Sequence, residues 1–242
     1  KAFGSALLAA AMVFGLATGS QAADLVRKVD SFDFLVDQSG SMMMKAPAFK
    51  MSKAAAAKQV LSSVNSTIPD LGYKGSMHTF GPAKSVVPYA DHDKAAMEAG
   101  IKSLPDNLAI FGRMTPMGDG LAANSGDYAN MARPTAIIIA SDGANNMGVD
   151  PVEEAAALYQ AQPGICFHVI SFADEPEGQA TLDKIASLNN CSVAVKGADL
   201  LADQAAVDKF VADVFYTTGK AEEALVIRVN FAFDSYALDD KA

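Results

Sequence analysis

The stretch that most constrains this chain is Phe32-Asp33-Phe34-Leu35-Val36-Asp37-Gln38-Ser39-Gly40-Ser41, an apolar run that stops abruptly at oxygen-bearing side chains. Phe32, Phe34, Leu35 and Val36 suit a strand, and Gly40 permits a sharp turn where Asp37, Ser39 and Ser41 stand at i, i+2 and i+4. Without sulfur or imidazole among them, such donors favour Mg²⁺, Ca²⁺ or Mn²⁺ over zinc or copper. The loop is too short to complete a coordination sphere alone. Further donors must come from other strand ends.

Two later stretches supply them. Thr115 stands before Pro116 in residues 111–120, and the β-branched run Thr135 to Ala140 closes on Ser141-Asp142-Gly143. Asp-x-Ser-x-Ser by itself says little, since turns and helix caps use the same residues. Taken together and in this order, Asp37-x-Ser39-x-Ser41, Thr115 and Ser141-Asp142-Gly143 resemble the metal-ion-dependent adhesion site of von Willebrand factor type A domains. The resemblance spans about residues 30–217. It implies that Ser39, Ser41 and Thr115 bind a divalent cation directly or nearly so, while Asp37 and Asp142 act through water. Mg²⁺ is the first expectation, with Ca²⁺ or Mn²⁺ as alternatives. A position left open on the ion would take an acidic side chain from a protein partner, without catalysis.

The remaining pattern agrees with such a fold. Helical segments are expected at Met51 to Ser66, Lys94 to Leu104, Asp119 to Met131, Pro151 to Ala161, Gly178 to Leu188 and Leu200 to Tyr216. Strands are expected at Lys74 to Phe80, Lys84 to Pro88, Thr135 to Ala140, Ile165 to Ser171 and Ser192 to Val195. The tight Gly81-Pro82 connection predicts an antiparallel pair at a sheet edge, because a parallel return needs a dozen or more residues. The expected architecture is α/β: a Rossmann-like, doubly wound, mostly parallel six-stranded sheet with one antiparallel edge strand and helices on both faces. Ligand sites in such sheets lie beyond the carboxyl ends of the strands, where Asp37 and Asp142 fall.

Residues 1–22 read as an export signal: Lys1, an apolar stretch from Ala6 to Ala17, then Ser20-Gln21-Ala22 as a cleavage site. The whole chain carries a net charge of −9, and its removal of Lys1 makes the mature form more acidic. That balance excludes nucleic acid as an expected partner. Cys166 and Cys191, with about 24 residues between them, are expected to pair in an oxidising compartment, a bond worth about 3 kcal/mol. Residues 218–224 read as a linker. Beyond it, Val229-x-Phe231-x-Phe233-Asp234-Ser235 in residues 225–242 resembles the opening strand of outer-membrane-protein-A-like domains. That points to the periplasm or outer membrane of a Gram-negative bacterium, or its surface, with peptidoglycan as a ligand of a complete C-terminal domain.

Other groups have plain expectations. Lys53 and Lys58 read as a solvated helix face, His92 as a solvated loop residue, and His78 and His168 as packed, hydrogen-bonded residues. Met42, Met43 and Met44 read as packing or as a soft rim, and Asp119 as a helix cap. The rival function is a metal-dependent phosphatase or phosphotransferase with Asp37 as nucleophile. Haloacid-dehalogenase-like enzymes place a second aspartate two residues on, where this chain has Ser39.

Overall fold

A computed structural model describes residues 24–107 and 114–219. The export segment 1–22, most of the 218–224 linker and the 225–242 stretch lie outside the described residues.

Along the chain, β1 (Leu25–Arg27) leads into β2 (Ser31–Asp37), and the short strands β3 (Lys45–Ala46) and β4 (Met51–Ser52) precede α1 (Lys53–Thr67). Next come β5 (Lys74–Phe80), β6 (Lys84–Asp91), α2 (Lys94–Ser103) and α3 (Met117–Ala129). Strand and helix then alternate through β7 (Thr135–Ser141), α4 (Pro151–Ala161), β8 (Ile165–Ser171), α5 (Pro176–Ser187) and β9 (Ala194–Lys196). Helices α6 (Gly197–Ala202) and α7 (Gln204–Phe215) lead to β10 (Tyr216–Thr218).

Six strands form the main sheet in the order β6-β5-β2-β7-β8-β9. All neighbours run parallel except β5 and β6, whose antiparallel pairing makes β6 the edge. β6 runs three residues past the expected Pro88, and an edge strand tolerates proline because one side of its backbone has no partner to lose.

β2, β7 and β8 are buried along their whole length, as continuous apolar runs in a two-sided sheet require. Phe32, Phe34, Val36 and Ile138 pack into one layer with α1, α2 and α7. Leu35, Ile137, Ile139 and Phe167 fill the other, against α3, α4 and α5. Each fully buried side chain of this size contributes about 1.5–3 kcal/mol. The disulfide between Cys166 and Cys191 ties β8 to the segment ahead of β9.

Several expectations are corrected. Residues 200–216 are two helices, because Asp203 turns extended and accepts the Ala205 N–H as the cap of α7. Tyr216 leaves the helix to pair with Arg27, in a β1–β10 ribbon too short to stand out as a pattern. His92 is half-buried, bonded through Nε2 to Asn65 Oδ1 at 2.9 Å and edge-on to Phe32. Lys58 donates to the Leu104 carbonyl at 2.7 Å and to Asp106 at 3.0 Å. Met42 and Met43 are buried, whereas Met44 is exposed.

Asp33, in the middle of β2, is fully buried. Its Oδ1 accepts from Ser76 Oγ at 2.8 Å and faces His78 Nδ1 at 2.8 Å, and its Oδ2 accepts from the Tyr128 hydroxyl at 3.3 Å. His78 Nε2 lies 3.3 Å from Asp127 Oδ2 on α3. Burial pulls the His78 imidazole down, but Asp33 and Asp127 outweigh it and hold its pKa above the ordinary value. His78 thus bridges Asp33 on β2 and Asp127 on α3, and this setting favours its protonated form.

A raised histidine stabilises fully below its unfolded pKa of about 6.5, and the contribution fades as pH rises through the folded value. Urea unfolding of the parent should therefore show stability falling with pH above about 6.5, and His78→Gln should reduce that slope. An unchanged slope in the variant would remove His78 from this role.

Candidate metal centre

From β2 the chain crosses to β5 on one side, while β7 lies on the other, so the strand order reverses between β2 and β7. Such a reversal opens a crevice beyond the carboxyl ends of the strands. β2 ends there in Asp37 and β7 in Ser141, with Asp142 next.

Asp37 is fully buried. Ser141 Oγ donates to its Oδ2 at 2.6 Å, and the Ser39 N–H donates to its Oδ1 at 2.8 Å. The first loop is folded back onto its own strand by that second bond, which brings Ser39 Oγ and Ser41 Oγ to 3.0 Å from each other.

The Thr115 segment is carried to the same place. Thr115 is buried, its N–H donates to Asn146 Oδ1 at 2.8 Å, and its carbonyl accepts from the Asn146 N–H at 3.2 Å. Met117 N–H donates to Asn145 Oδ1 at 3.2 Å. A Cβ on Gly81 (φ +67°) would lie 3.1 Å from the Ser39 nitrogen and 3.3 Å from the Met114 carbonyl oxygen. The Ser39 and Thr115 loops therefore flank one point of backbone. Asn145 and Asn146 escaped the sequence reading, although asparagines directly after Ser141-Asp142-Gly143 are suited to bonding nearby backbone.

Asp142 is 4% exposed, and its Oδ1 accepts from the Ala144 N–H at 3.2 Å. Its Oδ2 stands 2.8 Å from Lys53 Nζ, an ion pair without hydrogen-bond alignment. Lys53 also donates to Asp174 Oδ1. The expected solvated Lys53 is thus a correction: it is 3% exposed, because two carboxylates receive it beneath the surface. Asp119 is a second correction. It lies within the first turn of α3 and accepts from the Val149 N–H at 3.0 Å instead of capping its own helix.

Ser41, Met44, Lys53, Asp142 and Asp174 line a cleft of about 450 Å³. Asp142 in its lining acts electrostatically on the buried Asp37. Burial, and then the charge of Asp142, push the Asp37 carboxyl up to about 7, although the Ser141 and Ser39 hydrogen bonds pull the other way. Two buried carboxylates with the Ser39 and Ser41 hydroxyls on the adjoining loop suit a hard divalent cation, which would relieve that repulsion. Among the described residues no group of three or more His, Cys, Asp or Glu side chains is placed to hold a metal ion, so hydroxyls are needed to complete a donor set.

The Asp142 loop is seated on α5 through glycine. A Cβ on Gly143 would fall 2.0 Å from the Gly178 carbonyl oxygen, and one on Gly178 2.2 Å from the Asp142 carbonyl oxygen. Backbone cannot yield as a side chain can, so both residues must lack a Cβ.

Comparison with protein-family models and with curated proteins finds no match. Solved structures do match in fold. An aerotolerance-related membrane protein from Bacteroides fragilis shares 20% identity at a TM-score of 0.58, covering 75% of this chain and 98% of that one. A von Willebrand factor type A structure from Catenulispora acidiphila shares 21% identity at 0.53, over 76% of this chain and 42% of its own. Proximal thread matrix protein 1 from the mussel byssus, described with a zinc-occupied MIDAS motif, shares 18% at 0.54, over 80% of this chain and 49% of its own.

Gly178→Ala should cost about 1–3 kcal/mol in urea unfolding, as overpacking against fixed backbone does. Gly126→Ala is the control, since nothing lies within 4 Å of its would-be Cβ on α3. It should be neutral or stabilise by up to about 1 kcal/mol. Equal effects at the two positions would contradict the close contact.

Proposed function

Because the chain has the fold of von Willebrand factor type A domains, we propose that it is an exported, non-catalytic binding domain that engages a protein or envelope ligand through a divalent cation. Ser39, Ser41 and Thr115 would hold the ion directly or nearly so, with Asp37 and Asp142 acting through water. The observation that supports this reading is the bonding between sequence-distant segments: Asp37 to its own loop and to Ser141, and the Thr115 segment to Asn146 just after Asp142. The bound ion would supply an electrophilic position, and the partner's carboxylate would fill it.

Mg²⁺ is the expected ion, with Ca²⁺ or Mn²⁺ as alternatives. A fold neighbour described with zinc in its MIDAS motif supports divalent binding in general. The phosphatase alternative fits less well, because Asp37 has no exposed surface and both its oxygens accept internal hydrogen bonds. A nucleophile must be open to its substrate, and a fully buried carboxylate is not.

Placement in the periplasm or at the outer membrane rests on the export-like 1–22 stretch and the outer-membrane-protein-A-like residues 225–242. A disulfide suits that oxidising setting. Among the described residues no helix is long and apolar enough to cross a membrane. Peptidoglycan would be held by a complete C-terminal domain.

Calorimetric titration of residues 23–242 with Mg²⁺, Ca²⁺ and Mn²⁺ tests the proposal. One ion per chain should bind, and Asp37→Asn and Thr115→Ala should each weaken binding by about tenfold or more. Absence of saturable binding would remove the cation from the account. Phosphate-ester hydrolysis lost in Asp37→Asn would favour the enzyme instead.

A further inference from the structure

Lys53 opens α1, a place where the helix dipole disfavours positive charge. It is buried there all the same, and a buried ammonium persists only where negative groups surround it. Those groups differ in kind. Asp142 is nearly buried and belongs to the candidate metal centre, whereas Asp174 follows β8, has a 32% exposed side chain and lies outside the five candidate ligands. Asp142 Oδ2 has no aligned hydrogen-bond donor, so the lysine charge is what balances it.

We infer that Lys53 is a tethered counter-cation that competes with the divalent ion for Asp142, and that Asp174 is the dock to which its ammonium withdraws when the ion is taken up. This rests on the cation reading proposed above. An ammonium beside Asp142 and a divalent ion engaging the same carboxylate repel each other across a few ångströms of poorly solvated space. Lysine is suited to yielding, because its point charge rides on a flexible four-carbon stem and needs no fixed bidentate geometry. Asp174 already bonds the same nitrogen, so withdrawal requires no new partner, only release of the Asp142 contact. Cation affinity is then set by how Lys53 divides itself between two acids.

The two ends of that division predict opposite signs. Lys53→Met keeps the apolar stem and removes the competitor, so it should tighten Mg²⁺ or Mn²⁺ binding by about tenfold. Asp174→Asn removes the dock and leaves the ammonium to Asp142 alone, so it should weaken binding by about tenfold. Loss of folding would weaken both, which separates damage from competition, and circular dichroism on the same samples checks it. The readout is calorimetric affinity for the metal alone, on residues 23–242.

Tighter binding in Lys53→Met with weaker binding in Asp174→Asn supports the inference. Binding by Lys53→Met when the parent binds nothing overturns the withdrawal to Asp174: the lysine is then a permanent occupant, and the adhesion reading fails for the parent. Equal affinity in all three proteins overturns the inference and leaves the cation reading intact. Weaker binding in Lys53→Met overturns it too, and makes the lysine a residue that positions Asp142. No binding by any of the three overturns both.

Discussion

Asp37 meets Ser141 because β2 and β7 run parallel in a register that sets Ser31 against Thr135 and Val36 against Ala140. Side chains alternate across a sheet, so a slip of one residue would turn Asp37 toward the layer of Phe34 and Val36. That layer is built chiefly of apolar side chains, and a carboxylate in apolar surroundings without a donor costs several kcal/mol. The register is held from both sides. Phe32, Phe34 and Val36 belong under α1 and α7, Leu35 belongs under the opposite helices, and Ser31 bonds Thr135 at the start of the pair. The candidate site inherits its geometry from that apolar sorting.

Three buried aspartates on this frame are handled in three ways. Asp33 is saturated by Ser76, His78 and Tyr128, and its place is structural. Asp37 receives two hydrogen bonds, yet its pKa stays raised because burial and Asp142 outweigh them. Asp142 receives one backbone N–H and the Lys53 charge. The first is closed to further chemistry. The other two lean on each other's charge and on Lys53 instead of on a full set of hydrogen bonds, and that asymmetry separates a core network from a place where something could bind.

How much of this was legible in the sequence depends on the range of the interaction. Strands such as Thr135–Ser141 and Ile165–Ser171 announce themselves by continuous β-branched and aromatic content, and Pro151–Ala161 by its leading proline and the glutamates of its first turn. The motif loops are local too, so Asp37, Ser39, Ser41, Thr115 and Asp142 could be named in advance. Lys53 could not. Lys-Ala-Ala-Ala-Ala-Lys reads as a solvated helix surface, and the acids that bury its first lysine are 89 and 121 residues away. Asp33 hid likewise inside an apolar run, since its partners sit on β5 and α3. The clamp by Asn145 and Asn146 depends on where a separate loop arrives, which no local pattern states.

The β1–β10 ribbon sets Leu25 against Thr218, so the flanking segments enter and leave at the same end of one small antiparallel pair. That pair sits by the amino ends of the central strands: Lys28 bonds Phe215, and Asp30 bonds Pro134 just ahead of β7. Tension drawn through both flanks would peel the ribbon from its Leu25–Thr218 end, one rung at a time, before it loaded the parallel strands behind. The ribbon would open at the pole opposite the Asp37 end of β2.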